Sequence, residues 1–255
     1  PDTNTLLGEV PEIKNFFVCC GLNSIGIGSG GGVGKVTAEW LMTGHINQDI
    51  FSYDIKRFQK FHSELGFIKK RITETLGDLY GMHWPFKQHK TSRNIKTLPY
   101  HDNLKSFGAC FGVSAGYERP MWFALDGEIS EYEYSYNYQN WYPSAEYETN
   151  NTIKNVGLFD LTPFSKFEIK SEKAHQELQR ICTANIKNEV GKCTYTHMLN
   201  NEGGIETDLT VVCLDKNYFR IISSAATRER DKFHINKHLS KGVELKDITD
   251  DYCVF

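Results

Sequence analysis

The chain has 255 residues, with 32 Asp plus Glu against 29 Lys plus Arg and a formal net charge of -3. With no charged tail, and a longest basic run of only Lys69, Lys70 and Arg71, it lacks the electrostatic footprint of a nucleic-acid binder. No apolar run approaches the roughly 20 residues of a membrane span, and the opening residues Pro1 to Asn4 lack the basic and apolar regions of a secretion signal. Neither nucleic acid nor membrane is expected as a partner. Seven cysteines, an odd number without a Cys-x-x-Cys pair, fit a reducing compartment such as the cytoplasm or, alternatively, the mitochondrial matrix. The length fits one large or two small domains.

In chain order, the apolar run from Asn15 to Cys20 reads as a buried strand, and the glycine cluster from Gly26 to Gly34 follows it. A helix is predicted from Val33 to Met42, stopped by Gly44 in the left-handed cap conformation. Phe58, Phe61, Leu65, Ile68, Ile72, Leu76 and Leu79 recur at helical spacing and predict an amphipathic connector from Asp54 to about Tyr80, broken near Gly66. Residues 82–97 read as a crossing loop. Tyr132, Tyr134, Tyr136 and Tyr138 at strict period two fit either a half-buried strand or an aromatic surface loop. Helices are expected near Ala145 to Asn155 and Glu172 to Thr183. Strands are expected at Lys166–Lys170, Lys192–Met198, Ile205–Leu214 and Tyr218–Ser223, so the second half is an α+β antiparallel layout. The first residues and the segment from Asp250 to Phe255 both read as cut edges, the latter as an interrupted strand.

Gly26-x-Gly28-x-x-Gly31 matches the dinucleotide fingerprint between a strand and a helix, where glycines let backbone approach a phosphate. A packed turn with no ligand would produce the same run. The Walker pattern fails, because Ser29 stands where its first glycine would be and Val36 follows Lys35. A second candidate lies at the turn from Asn200 to Gly204. A hairpin centred between Asn201 and Glu202 sets Tyr195 opposite Asp208 and His197 opposite Glu206 on one face, with Thr196, Met198, Ile205, Leu209 and Val211 on the other. That face is either solvated or able to stack a heteroaromatic ring on the tyrosine and hydrogen-bond it to the aspartate. His234 and His238 are one helical turn apart without the metalloprotease glutamate, and no metal site is expected.

Several segments together resemble one family: Leu7 to Ile13, Gly21 to Ile27, Ala38 to Trp40, Asp54 to Phe58, Tyr117 to Phe123, Val156 to Leu161 and Met198 to Leu209. They are similar, in order and spacing, to the dimethylglycine dehydrogenase, sarcosine dehydrogenase and pyruvate dehydrogenase phosphatase regulatory subunit family. The resemblance implies an α+β chain in three parts. Residues 1–55 are the C-terminal strand-helix tail of an FAD-dependent oxidoreductase domain, 56–97 a helical central region, and 98–255 the N-terminal part of an antiparallel aminomethyltransferase-like, folate-binding domain. It further implies that Gly21, Leu22, Asn23, Ser24, Gly26 and Ile27 face FAD, where a helix N-terminus favours the charge of the reduced ring. Tyr195 and Asp208 match the family's folate residues, with Asp208 as the catalytic group that helps deprotonate a folate nitrogen. Met198, Leu199 and Asn200 match a neighbouring pocket wall. The implied activity is oxidation of an N-methyl amine such as dimethylglycine or sarcosine by FAD, with the one-carbon unit passed to tetrahydrofolate. A non-catalytic regulatory subunit and a flavin-free aminomethyltransferase are the rivals.

Overall fold

In a computed structural model describing residues 1–255, the alternating strands of the second half become a five-stranded antiparallel sheet in the order β6-β7-β8-β5-β9. These strands are β5 (Ser165–Lys170), β6 (Cys193–Leu199), β7 (Ile205–Asp215), β8 (Tyr218–Ser223) and β9 (Leu245–Asp247). Leu209, Val211 and Cys213 of β7 and Phe219 and Ile221 of β8 alternate onto one face. They pack there with Leu178 of α5 (Ala174–Ile181) and Ile235 of α6 (Arg228–His238). Period-two alternation therefore does here what it dictates: one face of the sheet is a closed core and the other carries Tyr195 and Asp208.

The chain forms two compact units. One comprises residues 3–59 with 163–252, the other residues 60–162 with the two extreme termini. In the first of these, β1 (Leu6–Glu9) pairs antiparallel with β2 (Phe17–Cys20). The expected burial of this run is not found, since Phe16, Cys19 and Cys20 are exposed. Helix α1 spans Gly26–Thr43, starting seven residues before the predicted Val33. None of the glycines from Gly26 to Gly34 adopts a positive φ, so the run is helical despite its low propensity. Gly44 closes α1 at φ 78°, its N–H donating to the Trp40 carbonyl at 2.8 Å, as the sequence predicts. Trp40 packs edge-on to Phe17, and Lys56 Nζ lies 4.8 Å from its ring. Lys56 also pairs with Asp54 at 3.0 Å, both side chains being buried.

The connector breaks into short 3-10 turns, Ile55–Arg57 in the first unit and Lys60–Ser63 in the other, where α2 (Leu65–Asp78) follows. Its buried stripe is Phe67, Arg71 and Thr75, whereas Leu65, Ile72 and Leu76 of the expected apolar face are exposed. Arg71 turns that face inward by donating to the carbonyls of Thr91 and Ser92, at 2.6 and 3.3 Å. Residues 82–97 form the expected irregular crossing, tied by the Arg93–Glu118 pair at 2.6 Å. Beyond it come α3 (His101–Ser106), the hairpin β3 (Ala109–Ser114) and β4 (Tyr117–Phe123), and α4 (Tyr142–Lys154). The tyrosine run is a surface loop: Tyr132 stacks on Tyr134, and the Tyr136 ring lies tilted against Trp84 with centroids 4.9 Å apart. The last residues form no strand, although the Val254 carbonyl accepts from the Leu161 N–H.

Candidate functional site

The hairpin β6–β7 brings the two polar residues of its open face together by a register different from the expected one. Tyr195 stands opposite Thr210 and His197 opposite Asp208. The turn sets this register: the Asn200 side-chain oxygen accepts from the N–H groups of Glu202 and Gly204 at 3.0 and 2.8 Å, and Gly203 takes φ 82°. The displacement is by an even number of residues, so the face is preserved while each pair becomes diagonal. The Tyr195 hydroxyl donates to Asp208 Oδ2 at 3.2 Å. Desolvation first, and the bond to Asp208 second, raise the Tyr195 phenol above its ordinary value. The ring of Tyr195 is 62% exposed and edge-on to His197, so its free face is open to a flat ligand.

Of the other residues matched to a folate pocket, Leu199 lies at the end of β6, and the Asn200 side-chain oxygen is taken up inside the turn. Met198 is fully buried in the core on the opposite face from Tyr195. Ile205, expected inside, is 66% exposed beside a bulge that leaves Glu206 without a partner on β6. Thr210, directly across from Tyr195, belongs to the same open face, and strand alternation counted from Asp208 would have found it.

A cavity of about 730 Å³ opens beside Asp208. It is bounded by Glu206 and Asp208 of β7, by Arg230, Phe233 and His234 of α6, and by the stretch from Gly44 to Phe51 with Trp40 and Lys56. His45 approaches Glu202 at 3.9 Å across it. Burial pushes the His234 imidazole down to about 4, with His238 adding to the effect. His234 is therefore neutral near pH 7, and its partner His238 uses Nδ1 on the His234 carbonyl at 2.8 Å. A second cluster, Glu74, Asp78 and His89, has side-chain atoms within 4.8 Å of one another. Its carboxylates are already used: Glu74 accepts from the Lys90 and Thr91 N–H groups, and Asp78 from Lys87 Nζ at 2.6 Å.

The glycine turn sets Gly21 at φ 71°, Asn23 at 38° and Ser24 at 71°. Asn23 Nδ2 holds it by donating to the carbonyls of Thr3 and Gly21. Leu22 lies against Gly26, where a Cβ would meet it at 3.5 Å, and Ile27 is fully exposed. A Cβ placed on Gly28, Gly30, Gly31, Gly32 or Gly34 would meet nothing within 4 Å. The α1 N-terminus carries no acidic residue and no side-chain cap, so its first N–H groups are available to an anionic or electron-rich ligand.

Comparison with known proteins gives two adjoining matches. Residues 43–97 match the FAD dependent oxidoreductase central domain, and residues 100–255 match the GCVT N-terminal domain. Among similar proteins, 4-methylaminobutanoate oxidase (formaldehyde-forming) of Paenarthrobacter nicotinovorans is 38% identical over 95% of this chain and 29% of its own length. The mitochondrial pyruvate dehydrogenase phosphatase regulatory subunit of Mus musculus is 31% identical over 99% of this chain and 30% of its own. Human mitochondrial sarcosine dehydrogenase is 32% identical over 83% and 26%. The chain thus spans under a third of the length of these relatives.

Proposed function

Since the chain belongs to the GCVT N-terminal domain family, here preceded by an FAD dependent oxidoreductase central domain, we propose that it serves FAD-dependent oxidation of an N-methyl amine, with transfer of the methyl carbon to tetrahydrofolate. The observation that carries this reading is the tandem of the two matches together with the Tyr195–Asp208 pair on an open face. FAD, when bound, would supply the hydride-accepting chemistry for the N-methyl carbon. Gly21, Leu22, Asn23, Ser24, Gly26 and Ile27 are assigned to its side of the protein. The glycine-rich start of α1 fits a flat ring, because Gly28, Gly30, Gly31, Gly32 and Gly34 answer to no contact within the chain.

On the folate side, Tyr195 would stack the pteridine, and the Asp208 carboxylate would accept the proton that the folate nitrogen loses as it bonds to the electrophilic methylene carbon. Once that bond forms, the demethylated amine leaves with the electron pair of the breaking C–N bond and takes up the proton held by Asp208, while the second folate nitrogen closes on the methylene carbon and gives its own proton to solvent. Leu199 and Asn200 would flank the ring at the hairpin end. The amine substrate is one such as dimethylglycine or sarcosine, and the name of the bacterial relative adds 4-methylaminobutanoate to those to be tried.

The second reading, a regulatory subunit without turnover, is favoured by one observation, the 31% identity to the phosphatase regulatory subunit over 99% of the chain. Anaerobic titration of the full-length protein with each amine separates them. Bleaching of flavin absorbance by one amine supports the enzyme. Bound flavin that no amine reduces supports the regulator, and a protein purified without flavin, with aminomethyl transfer intact, supports the flavin-free transferase.

A further inference from the structure

Asp208 projects from the open face of the sheet, so whatever aims it acts through the strand beneath. That strand end is poorly supported by the sheet itself. Glu206 is the extra residue of a bulge, with Thr207 opposite Met198 and Ile205 opposite Leu199. On its other side, β7 first meets β8 at Leu209, opposite Ser223. Residues 205–208 thus have a strand neighbour on one side only, with an unpaired residue among them. A bulge re-aims the side chains beside it, but only as firmly as its backbone is held.

Helix α6 supplies the hold from the covered side. Arg230 donates from Nη2 to the Glu206 carbonyl at 2.6 Å, and its guanidinium lies over the Phe51 ring at 5.2 Å. The next residue, Asp231, is 1% exposed and accepts from Thr227 Oγ1 at 2.7 Å. The hydroxyls of Ser223 and Thr207 face its carboxyl group, and Thr207 Oγ1 donates to the Asp208 carbonyl at 3.2 Å. Two consecutive helix residues therefore lie against two consecutive strand residues immediately before Asp208: Arg230 bonds the Glu206 carbonyl, and buried Asp231 faces Thr207, whose hydroxyl ties down the Asp208 carbonyl.

We propose that Arg230 and Asp231 are positioning residues for Asp208, standing in for the missing strand neighbour and fixing the bulged end of β7 so that the Asp208 carboxylate meets the Tyr195 hydroxyl. This rests on the reading of Asp208 as the folate-side base. The chemistry does not pass through either residue. Their effect is on where the carboxylate points, and a misplacement of about 1 Å costs on the order of 100-fold in rate.

The test uses the full-length protein with a formaldehyde trap, measuring methylene-tetrahydrofolate formation and amine-driven flavin reduction side by side. Arg230→Met and Thr207→Val are each expected to lower kcat of the folate step about 10- to 100-fold. KM for the amine and the rate of flavin reduction stay at parental values, and Arg230→Lys, which keeps a donor, recovers most of the loss. The double variant Asp208→Asn/Arg230→Met is expected to be no slower than Asp208→Asn alone, because a residue acting through Asp208 has nothing left to position. Multiplying losses in the double variant, an unchanged folate step in both single variants, or flavin reduction falling in parallel would each overturn the proposal. If Arg230→Met does not accumulate, Thr207→Val, which removes only a hydroxyl, carries the same comparison. An Asp208→Asn protein with full folate-step activity overturns the reading of Asp208 and this proposal together, whereas an impaired Asp208→Asn beside intact Arg230 and Thr207 variants overturns the positioning role alone.

Discussion

Two buried titratable groups three residues apart on α6 respond to pH with opposite sign. Burial, opposed by bonds from Thr227 and its neighbours, pushes Asp231 from its ordinary 3.8 up to about 6, and burial drives His234 from 6.5 down to about 4. Between pH 3.8 and 6 the folded Asp231 holds a proton that the unfolded chain has lost, so its contribution to stability falls as pH rises through that window. Between pH 4 and 6.5 the unfolded His234 holds a proton that the folded ring refuses, so its contribution rises with pH. At about 1.4 kcal/mol per pH unit, each amounts to about 3 kcal/mol, and in the parent the two nearly cancel. Asp231→Asn removes the falling part. Relative to the parent it should gain about 3 kcal/mol between pH 4 and 6.5, while His234→Asn should lose a similar amount over the same range. Urea denaturation followed by far-UV circular dichroism at intervals across that range reads both. Subtracting the parent removes the carboxylates held low by ion pairs, such as Glu118 and Asp247, which act on all three proteins alike. Difference curves that are flat, or that share one sign, would refute the reasoning.

The sheet was legible because its strands are half-buried. Tyr218–Ser223 and the part of β7 beyond its bulge alternate cleanly, and a register error of two residues leaves every side chain from Thr207 onward on its proper face, so Tyr195 and Asp208 met despite the wrong pairing. The turn itself was misread, because the Asn200 side chain and the bulge at Glu206 are decided by hydrogen bonds that no alternation encodes. Periodicity also failed on α2, where an arginine with carbonyl partners fills the buried stripe. The cavity beside Asp208 was not legible at all: residues 44–51, 200–208 and 230–237 share no motif, and only the fold makes them neighbours.

Asp208→Asn in the full-length protein should lower methylene-tetrahydrofolate formation by about 100- to 10,000-fold while amine-driven flavin reduction continues, with formaldehyde release rising in its place. Equal folate product under trapping would remove Asp208 from the chemistry. Gly8→Ala should cost roughly 2–4 kcal/mol in urea unfolding, since φ is 116° there and a Cβ would lie 2.4 Å from the Trp40 ring; at Gly44, with φ 78° and only Lys237 Nζ 4.0 Å away, the cost should be about 1–2 kcal/mol. The glycine run of α1 makes the last distinction. No atom of the chain lies within 4 Å of a Cβ at Gly28 or Gly31, so packing gives no reason for either glycine. Gly31→Ala should therefore stabilise the 255-residue chain by about 0.5–1 kcal/mol through helix propensity alone, and Gly28→Val should leave it within about 0.5 kcal/mol of the parent. If the run is bare because a flavin ring lies against it, Gly28→Val should strip flavin from the full-length protein without lowering its folded content. Flavin absorbance per protein at the parental ratio in that variant would break the link, because a β-branched side chain in the first turn of α1 and a ring seated on the same backbone cannot share the space.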